Sequence, residues 1–369
     1  MNETVYLRPI ALTESPQADD GQAVRLAGGL ACASRFALLV RGDGKVVSRQ
    51  VVSAGDVAAA IAALPDALAA DASAQWANLR KSHAPIGCGE RVLRLDQPLV
   101  MGILNVTPDS FSDGGQFLDK PDVALDHASA MLAAGAAVID VGGESTRPNA
   151  AAVWEGDEIK RVVPVIERLA TTGAAISIDS RRSSVIAAAL AAGAHIVNDV
   201  SALRHDPRSM EIVAASGAPV VLMHAPGGAD DLHADGHYRD VVLDVFDDLR
   251  TRRDAALAAG IAAEKILLDP GIGFGKTLAE NLALINALPL FHALGQPVLF
   301  AASRKRMIGA LAGEAPADQR LGGSVMLAIK ALEAGCHMVR VHDVAETVQA
   351  MRVWRGLRDA ALTDFSQVG

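Results

Sequence analysis

Polar side chains stand at the ends of a series of short apolar segments, and these are the residues whose types could support chemistry. Carboxylates and amides accept hydrogen bonds from a polar ligand, whereas arginine, lysine and histidine can hold an anion. A fold that gathered both kinds would form a binding site for a polar, partly anionic small molecule. The positions are Asn105, Asp140, Gly142-Gly143-Glu144, Asp179, Asn198-Asp199, His224, Asp269, Ser303-Arg304-Lys305 and Arg340-Val341-His342.

Arg340 and His342 are separated by one residue in the segment RVHDV. On a β-strand, side chains two residues apart point to the same face, so both would meet the same ligand. Such a cationic pair next to a helix N-terminus is suited to binding an anion. The alternative for His342 is a histidine that only flanks the helix beginning near Asp343.

Two further patterns carry chemistry in other proteins but fit poorly here. Residues 271–277 (GIGFGKT) resemble a phosphate-binding loop, yet Pro270 occupies the position, five before Gly275, of that motif's first glycine. His233 and His237 have a spacing that binds metals on a helix, but LHADGHY reads as a loop without a clear third ligand. We therefore expect neither a nucleotide site nor a histidine metal site in these segments.

The elements that would position the polar residues are eight apolar runs that alternate with alanine-rich helical stretches from residue 97 onward. Continuous apolar strands separated by helices indicate a parallel sheet covered on both faces. Eight such units over residues 97–369 predict an α/β fold, a (β/α)8 TIM barrel, in which active sites lie at the C-terminal ends of the strands. An open doubly wound sheet is the alternative. The runs are PLVMGILN, AVIDVGG, AISID, HIVND, PVVLMH, KILLDPG, PVLFAAS and HMVRVH.

The first 95 residues do not continue this rhythm. FALLVRGDGKVVSRQVV predicts a β-hairpin around Gly42-Asp43-Gly44, and an alanine-rich helical stretch interrupted at Pro65 follows it. We expect residues 1–95 to form a small N-terminal α+β extension and residues 96–369 to form the barrel domain. The extension carries no chemical motif, so its expected role is packing against the barrel or a partner subunit.

Composition limits the classes of partner. The chain has 369 residues, of which 50% are hydrophobic, and a net charge of −9, which gives no basic field for nucleic acid. Its apolar runs are too short to span a bilayer, so no membrane segment is expected. The cysteines Cys32, Cys88 and Cys336 are widely spaced, and the N-terminal residues do not resemble a signal peptide, so we expect a cytoplasmic protein.

Five segments resemble the signatures of dihydropteroate synthases, and they are spread over the predicted barrel, which is about three quarters of the chain. The resemblance implies a transferase of folate biosynthesis that condenses 6-hydroxymethyl-7,8-dihydropterin pyrophosphate with p-aminobenzoate, giving 7,8-dihydropteroate and pyrophosphate. Two departures are SIDSRRSSV, in place of a more usual Asp-Thr-x-Lys type segment, and Asn149, where glycine is common. The segments are GILNVTPDSFSDGG (102–115), IDVGGESTRP (139–148), LLDPGIGFGK (267–276), SRKRMIG (303–309) and RVHDV (340–344).

The resemblance also implies a Mg2+ cofactor, a homodimer and roles for individual residues. The residues implied for the pterin are Asp179, Asn198, Met223, Asp269 and Lys305. Those implied for p-aminobenzoate are Phe111, Thr146, Arg147, Pro148, Phe274, Lys276 and Ser303. Those implied for pyrophosphate are Asn105, Arg340 and His342, with Asn105 also ligating Mg2+. The residues implied in catalysis are Asp179, Lys305, Arg340 and His342.

Some of these residues also have a purely structural interpretation. Asp179 has the position of a cap on the following helix, and Asn198 and Met223 could be ordinary barrel packing. The nearest rival function is a pterin-dependent methyltransferase, which handles an intact folate and has no use for pyrophosphate. The other rival is a non-catalytic homologue that binds pterin or scaffolds another protein.

Overall fold

The computed structural model describes residues 3–13, 22–107, 121–145, 153–227 and 232–361. Before residue 95 the described part forms two helices and six strands. The strands are β1 (Thr4–Thr13), β2 (Val24–Arg25), β3 (Cys32–Gly42), β4 (Lys45–Ser53), β5 (Ile86–Cys88) and β6 (Arg91–Leu93). The helices are α1 (Val57–Ala62) and α2 (Asp66–Arg80).

The predicted hairpin of the extension is confirmed. Strands β3 and β4 pair antiparallel from Gly42–Lys45 onward, and β1 lines the other edge of β3. Asp43 and Gly44 make the turn with positive φ values of 49° and 78°, the backbone geometry that tight hairpins between twisted strands require.

All eight predicted barrel strands are present in the described part of the chain. They are β7 (Leu99–Asn105), β8 (Val138–Gly142), β9 (Ile176–Asp179), β10 (Ile196–Asp199), β11 (Val220–Met223), β12 (Ile266–Asp269), β13 (Leu299–Phe300) and β14 (Met338–Val341). The helices between and after them are α3 (Pro121–Ala134), α4 (Glu155–Ala170), α5 (Ser183–Ala191), α6 (Ser209–Ser216), α7 (Val241–Ala258), α8 (Leu278–Ile285), α9 (Arg306–Leu311), α10 (Leu321–Glu333) and α11 (Val344–Ala361).

These strands form one parallel sheet in the order β12-β11-β10-β9-β8-β7-β14-β13. A parallel bridge between Leu268 and Val298 joins β12 to the residue before β13 and so closes the sheet. The fold is therefore the predicted (β/α)8 barrel, and the open sheet is excluded. None of the helices in the described ranges is long and apolar enough to cross a membrane.

Side-chain alternation along the strands separates a packed barrel interior from the layer under the helices. Residues such as Ile139, Val197 and Leu268 belong to the large core shared with the helices. The residues next to them along each strand point into the barrel. The N-terminal end of that interior is filled by apolar residues and covered by the hairpin β5–β6. Two residues further along the same inward face, polar side chains replace the apolar ones in five strands, at Asp140, Ser177, Asn198, Asp269 and Arg340. The lower interior comprises Met101, Val138, Ala175, Ile196, Val221, Leu267, Leu299 and Met338, with Ile86, Cys88 and Leu93 beneath.

The extension packs on α7 and on the 3-10 helix of residues 288–294. Tyr6 lies edge-on to Phe246 at 5.5 Å between ring centroids, and its hydroxyl donates to Asp247 at 2.7 Å. Arg41 forms an ion pair with Asp244 at 2.5 Å. The buried residues of the extension and of the barrel's outer layer form one continuous core.

Candidate functional site

Arg340 lies at the centre of a buried polar cluster at the C-terminal mouth of the barrel. Its Nε donates to Asp140 Oδ2 at 2.5 Å, and its Nη2 donates to Asp179 Oδ2 at 2.6 Å. Asn198 Nδ2 donates to the same oxygen of Asp140 at 3.0 Å. The guanidinium therefore joins strand β14 to β8 and β9, and an amide from β10 completes the cluster.

Strand register explains why residues so far apart in sequence meet. Asn105 is paired with Gly142, Gly142 with Asp179, and Asp179 with Asn198, so these four positions form one row across β7 to β10. Gly142 keeps the row open: a Cβ there would lie 3.5 Å from Asn105 Oδ1 and 3.6 Å from Asp179 Cβ. The side chains of Asn105 and Asp179 therefore border the same small space.

Burial and charge set the ionisation of this cluster. Burial raises the pKa of Asp179, Arg340 opposes the rise, and Asp140 adds to it. Burial lowers the pKa of Arg340, but the attraction of the two carboxylates outweighs it and the net pKa is raised. Arg340 is thus held as a cation, and the Asp179 carboxyl beside it can exchange a proton or accept a hydrogen bond.

Asp269 and Lys305 form the second polar group of the mouth. Asp269 Oδ1 accepts a hydrogen bond from the Gly271 amide at 2.7 Å, and burial raises the pKa of this carboxyl. Burial lowers the pKa of Lys305 to about 8, and the charge of Asp269 opposes that fall. The Lys305 ammonium donates to the carbonyl of Ile272 and lies 4.5 Å from the ring centroid of Phe274.

An apolar wall stands beside this group. Met223 is paired with Asp269 across β11 and β12, so their side chains share the inward face. Met223 and Phe274 are both nearly buried and belong to one small cluster with Leu232. Such a wall next to acceptors and an ammonium suits a flat ring with a polar edge.

Ser303 and His342 meet at the ends of the neighbouring strands β13 and β14. The Ser303 hydroxyl oxygen lies 3.2 Å from the His342 amide, which donates to it, and 3.1 Å from His342 Nδ1. Arg304 has a left-handed φ of 58°, and its guanidinium is bound to Asp343 rather than directed into the mouth. His342 is therefore oriented by the Ser303 turn.

Lys276 is held by three acceptors. Its ammonium lies 2.8 Å from Gly271 O, 3.0 Å from Phe274 O and 2.9 Å from His224 Nδ1. The sequence analysis gave this lysine to the p-aminobenzoate carboxylate; in the structure its contacts are with the loop that carries it and with the end of β11.

The arginines in the SIDSRRSSV departure have acidic partners. Arg182 pairs with Glu144 at 2.8 Å and also with Glu158, and Arg181 lies 3.6 Å from Glu144. The positive charge of Arg181 and Arg182 is therefore balanced by Glu144 and Glu158 and not by Asp179.

The structure brings all of the described candidate residues to the barrel mouth. Asn105, Asp179, Asn198, Met223, Asp269, Phe274, Lys276, Ser303, Lys305, Arg340 and His342 all lie there. The four candidates of the two loops, Phe111, Thr146, Arg147 and Pro148, lie outside the described residues. No role was predicted for Asp140 from the sequence. The feature that could have pointed to one is its position near a strand end, in IDVGG.

Few of the described side chains at the mouth are suited to act as ligands of Mg2+. Among the described residues, no group of three or more histidine, cysteine, aspartate or glutamate side chains could hold a metal. Asn105 offers one hard amide oxygen next to Asp179, which fits an ion that takes few protein ligands and completes its shell with water and phosphate oxygens. Mg2+ is therefore compatible with this mouth only as an ion shared with a phosphate ligand.

The pterin binding enzyme family matches residues 101–342 of this chain. The dihydropteroate synthase of Escherichia coli (strain K12) is 47% identical over 262 residues, which are 71% of this chain and 92% of that protein.

Two solved structures have the same barrel. The Xanthomonas albilineans dihydropteroate synthase with 4-aminobenzoic acid has a TM-score of 0.70 and 46% identity, covering 75% of this chain and 99% of that one. The same enzyme in complex with 7,8-dihydropteroate has a TM-score of 0.67 and 44% identity, covering 74% and 99%.

Proposed function

This chain belongs to the dihydropteroate synthase family, and we propose how its barrel mouth condenses 6-hydroxymethyl-7,8-dihydropterin pyrophosphate with p-aminobenzoate. The protein is a transferase of folate biosynthesis whose products are 7,8-dihydropteroate and pyrophosphate. The observation that carries the residue assignment is the pair of polar groups at one mouth, Arg340 with its carboxylates and Asp269 with Lys305.

The pterin is assigned to the Asp269 side of the mouth. A pterin presents adjacent N–H donors on its aminopyrimidinone edge, and Asp269 keeps acceptor capacity beyond its bond to the Gly271 amide. Asp179 and Asn198 border the same interior from β9 and β10, and Met223 supplies an apolar face. The Lys305 ammonium has three N–H donors, so it would keep its bond to Ile272 O and offer another N–H to an acceptor atom of the ring.

Pyrophosphate is assigned to Arg340 and His342. The guanidinium has five N–H donors, and the bonds to Asp140 and Asp179 use two of them, which leaves others for a phosphate oxygen. His342 stands two residues further along and is oriented by Ser303. Asn105 would be a Mg2+ ligand, and the bound ion would neutralise charge that develops on pyrophosphate.

In the proposed reaction, the bond between the pterin methylene carbon and the pyrophosphate oxygen breaks, and the electron pair leaves with the oxygen. The nitrogen of p-aminobenzoate forms the new bond to that carbon and afterwards loses a proton. Arg340 and His342 stabilise the departing anion, and the Asp179 carboxylate stabilises positive charge on the methylene carbon. Catalysis then consists mainly of holding the three groups in line.

The p-aminobenzoate pocket is assigned to the side formed by Phe274 and Ser303. Phe274 offers aromatic carbon to the ring, and Ser303 offers a hydroxyl. Phe111, Thr146, Arg147 and Pro148 remain a prediction for the rest of this pocket.

The test is release of pyrophosphate, measured by a coupled assay with purified protein and both substrates, with Mg2+ added or withheld. We expect release only when p-aminobenzoate and dihydropterin pyrophosphate are both present, and faster release with Mg2+. A pterin-dependent methyltransferase or a non-catalytic pterin-binding homologue would release none. Absence of release under all conditions would overturn the proposed function.

A homodimer and a cytoplasmic location also remain proposals. Met326, Val353 and Leu357 on α10 and α11 are at least 60% exposed, and an apolar surface of this kind suits a contact between two copies. Light scattering on a size-exclusion column would test the dimer. Cys32, Cys88 and Cys336 are buried and unpaired, in keeping with a reducing compartment.

A further inference from the structure

The loop that follows strand β12, residues 270–276 (the glycine loop), directs its carbonyl groups at two lysine ammonium groups. Lys305 donates to the carbonyl of Ile272, and Lys276 donates to the carbonyls of Gly271 and Phe274. Three carbonyl oxygens of one short loop are thus engaged by cations from two sides. These bonds act on the carbonyl side of the loop, and its amides are held as well, Gly271 N–H by Asp269 Oδ1 and Gly273 N–H by Asn281 Oδ1, both at 2.7 Å.

The neighbouring backbone leaves no room for a side chain at two positions of the loop. A Cβ at Gly271 would lie 1.8 Å from the carbonyl oxygen of His224, and one at Gly275 would lie 2.3 Å from the carbonyl oxygen of Ala234. Both glycines have positive φ, 69° and 53°. The loop is pressed against the end of β11 and the segment after it, where Lys276 makes its remaining bond.

That bond joins Lys276 to His224. The distance from Nζ to Nδ1 is 2.9 Å, and His224 is 4% exposed. Burial and the nearby cation hold the pKa of His224 down to about 2, so the ring is neutral and its Nδ1 can accept the proton of the ammonium. With two carbonyls and this nitrogen as acceptors, all three N–H groups of Lys276 are used.

The residue that this arrangement orients is Phe274. Its backbone carbonyl is bound by Lys276, and its ring is 7% exposed in the cluster with Met223. The ring lies 4.5 Å from the Lys305 ammonium and stacks on His233 with an interplanar angle of 13°. A shift of the Phe274 backbone would therefore move a wall of the mouth and the support of Lys305.

We propose that Lys276 is a positioning residue: it fastens the glycine loop to His224 and thereby holds Phe274 and Lys305 in the geometry that the reaction requires. This inference rests on the proposed function and deepens it. It replaces the role, suggested by sequence, of a ligand for the p-aminobenzoate carboxylate. As a carboxylate ligand, Lys276 would have to give up bonds that fix the loop.

The two roles predict different effects of Lys276→Met, which keeps the length of the side chain and removes its charge and donors. A positioning role predicts that kcat/KM falls about tenfold or more, since hydrogen bonds to a charged group are lost. The fall should be the same, within about twofold, for p-aminobenzoate and for the uncharged 4-aminobenzamide. A carboxylate ligand predicts a fall for p-aminobenzoate alone, and that result would overturn the proposal.

Pterin affinity gives a readout that does not depend on turnover. Calorimetry with dihydropterin pyrophosphate should show weaker binding to Lys276→Met by about tenfold, because Lys305 and Phe274 lose their support. Unchanged pterin affinity would overturn the proposal. Lys330→Met on the surface of α10, where the ammonium lies 3.8 Å from Glu333, is the matched control and should change neither property.

Variants of His224 keep the proposal testable if Lys276→Met fails to fold. His224→Asn retains an acceptor near the position of Nδ1 and should preserve most of the activity, whereas His224→Leu removes the acceptor and should reproduce the defect. In a Phe274→Leu background, the Lys276 substitution should have little further effect on pterin affinity. Full additivity, or equal behaviour of the two His224 variants, would refute the coupling. Failure of wild-type turnover would instead count against the proposed function.

Discussion

Replacing Arg340 with methionine would leave two carboxylates at the barrel mouth without the cation that lies between them. Asp140 is fully buried, the Asp179 side chain is 11% exposed, and Arg340 reaches both at 2.5 Å and 2.6 Å. Methionine fills much of the same volume, so the change removes charge more than packing. We expect the variant to lose both folding stability and pyrophosphate affinity.

The magnitude follows from the burial of the pair. Removing one partner of a buried ion pair costs about 3 to 5 kcal/mol, because the remaining charge is desolvated and uncompensated. The pKa of Asp179 is already raised by burial while Arg340 opposes the rise, so loss of Arg340 raises it further. The folded variant then holds protons that the unfolded chain releases above pH about 4. Its unfolding free energy therefore falls as pH rises and recovers on acidification, by about 1.4 kcal/mol per pH unit for each carboxyl that is protonated.

The assay is urea unfolding of wild type and Arg340→Met at pH 8 and pH 5. The control is Arg94→Met, because Arg94 and Asp96 form a similar two-bond pair on the surface, with side chains 66% and 46% exposed. The control should unfold like the wild type at both pH values. Calorimetry with pyrophosphate should show binding to the control and none, or much less, to Arg340→Met.

Two results would refute this reasoning. A stability loss in Arg340→Met no larger than that of the surface control would mean that the carboxylates do not depend on this cation. A loss that stays constant between pH 8 and pH 5 would mean that protonation of Asp179 does not relieve it.

Three further predictions concern the pterin, the acid response and the order of binding. Asp269→Asn should weaken pterin binding by about 1 to 3 kcal/mol, since an amide presents donors to donors; unchanged affinity by calorimetry would remove Asp269 from the pocket. His83, His292 and His337 pack edge to face between the extension and the barrel, and burial lowers the pKa of all three, to about 3 and about 4 for the first two. The unfolded chain therefore binds protons that the folded chain does not, so the unfolding free energy should fall as pH drops below about 6.5, by about 1.4 kcal/mol per pH unit for each histidine. His83→Phe should make this pH dependence less steep in urea titrations. An identical slope would mean that His83 does not contribute to it. Titration with p-aminobenzoate should give affinity higher by about 1 to 3 kcal/mol when pyrophosphate, Mg2+ and a pterin are bound; equal affinities would mean that its pocket is preformed.

The barrel could be read from sequence because its signal is local and repeated. Each strand is a short apolar run, as in HIVND, and each run ends in a polar residue at the same rim. Residues such as Asn198 and Asp269 were therefore assigned to the mouth from their position at strand ends, with the family resemblance supplying their roles. The signal of the hairpin around Asp43 was equally local, and that hairpin is present.

Contacts between side chains from different strands could not be predicted in this way. Asp140 had no assigned role, yet it accepts from both Arg340 and Asn198. Arg182 stood out as a departure from the family, but its partners Glu144 and Glu158 lie on other segments of the chain.

Sequence alone determined the elements, their order and the rim at which the polar residues gather, because side-chain periodicity and chain punctuation are properties of neighbouring residues. Only the tertiary structure decided which atoms meet at that rim. The register of β7 to β10 places Asn105 and Asn198 in one row with Asp179, and the closed barrel brings Arg340 to two carboxylates. Lys276 illustrates the same limit, because its position suggested a ligand for a carboxylate while its acceptors come from the folded loop and from the end of β11. The physical reason is that a long polar side chain binds whatever partner the closed barrel places within its reach, and that partner is fixed by contacts between residues distant in the chain.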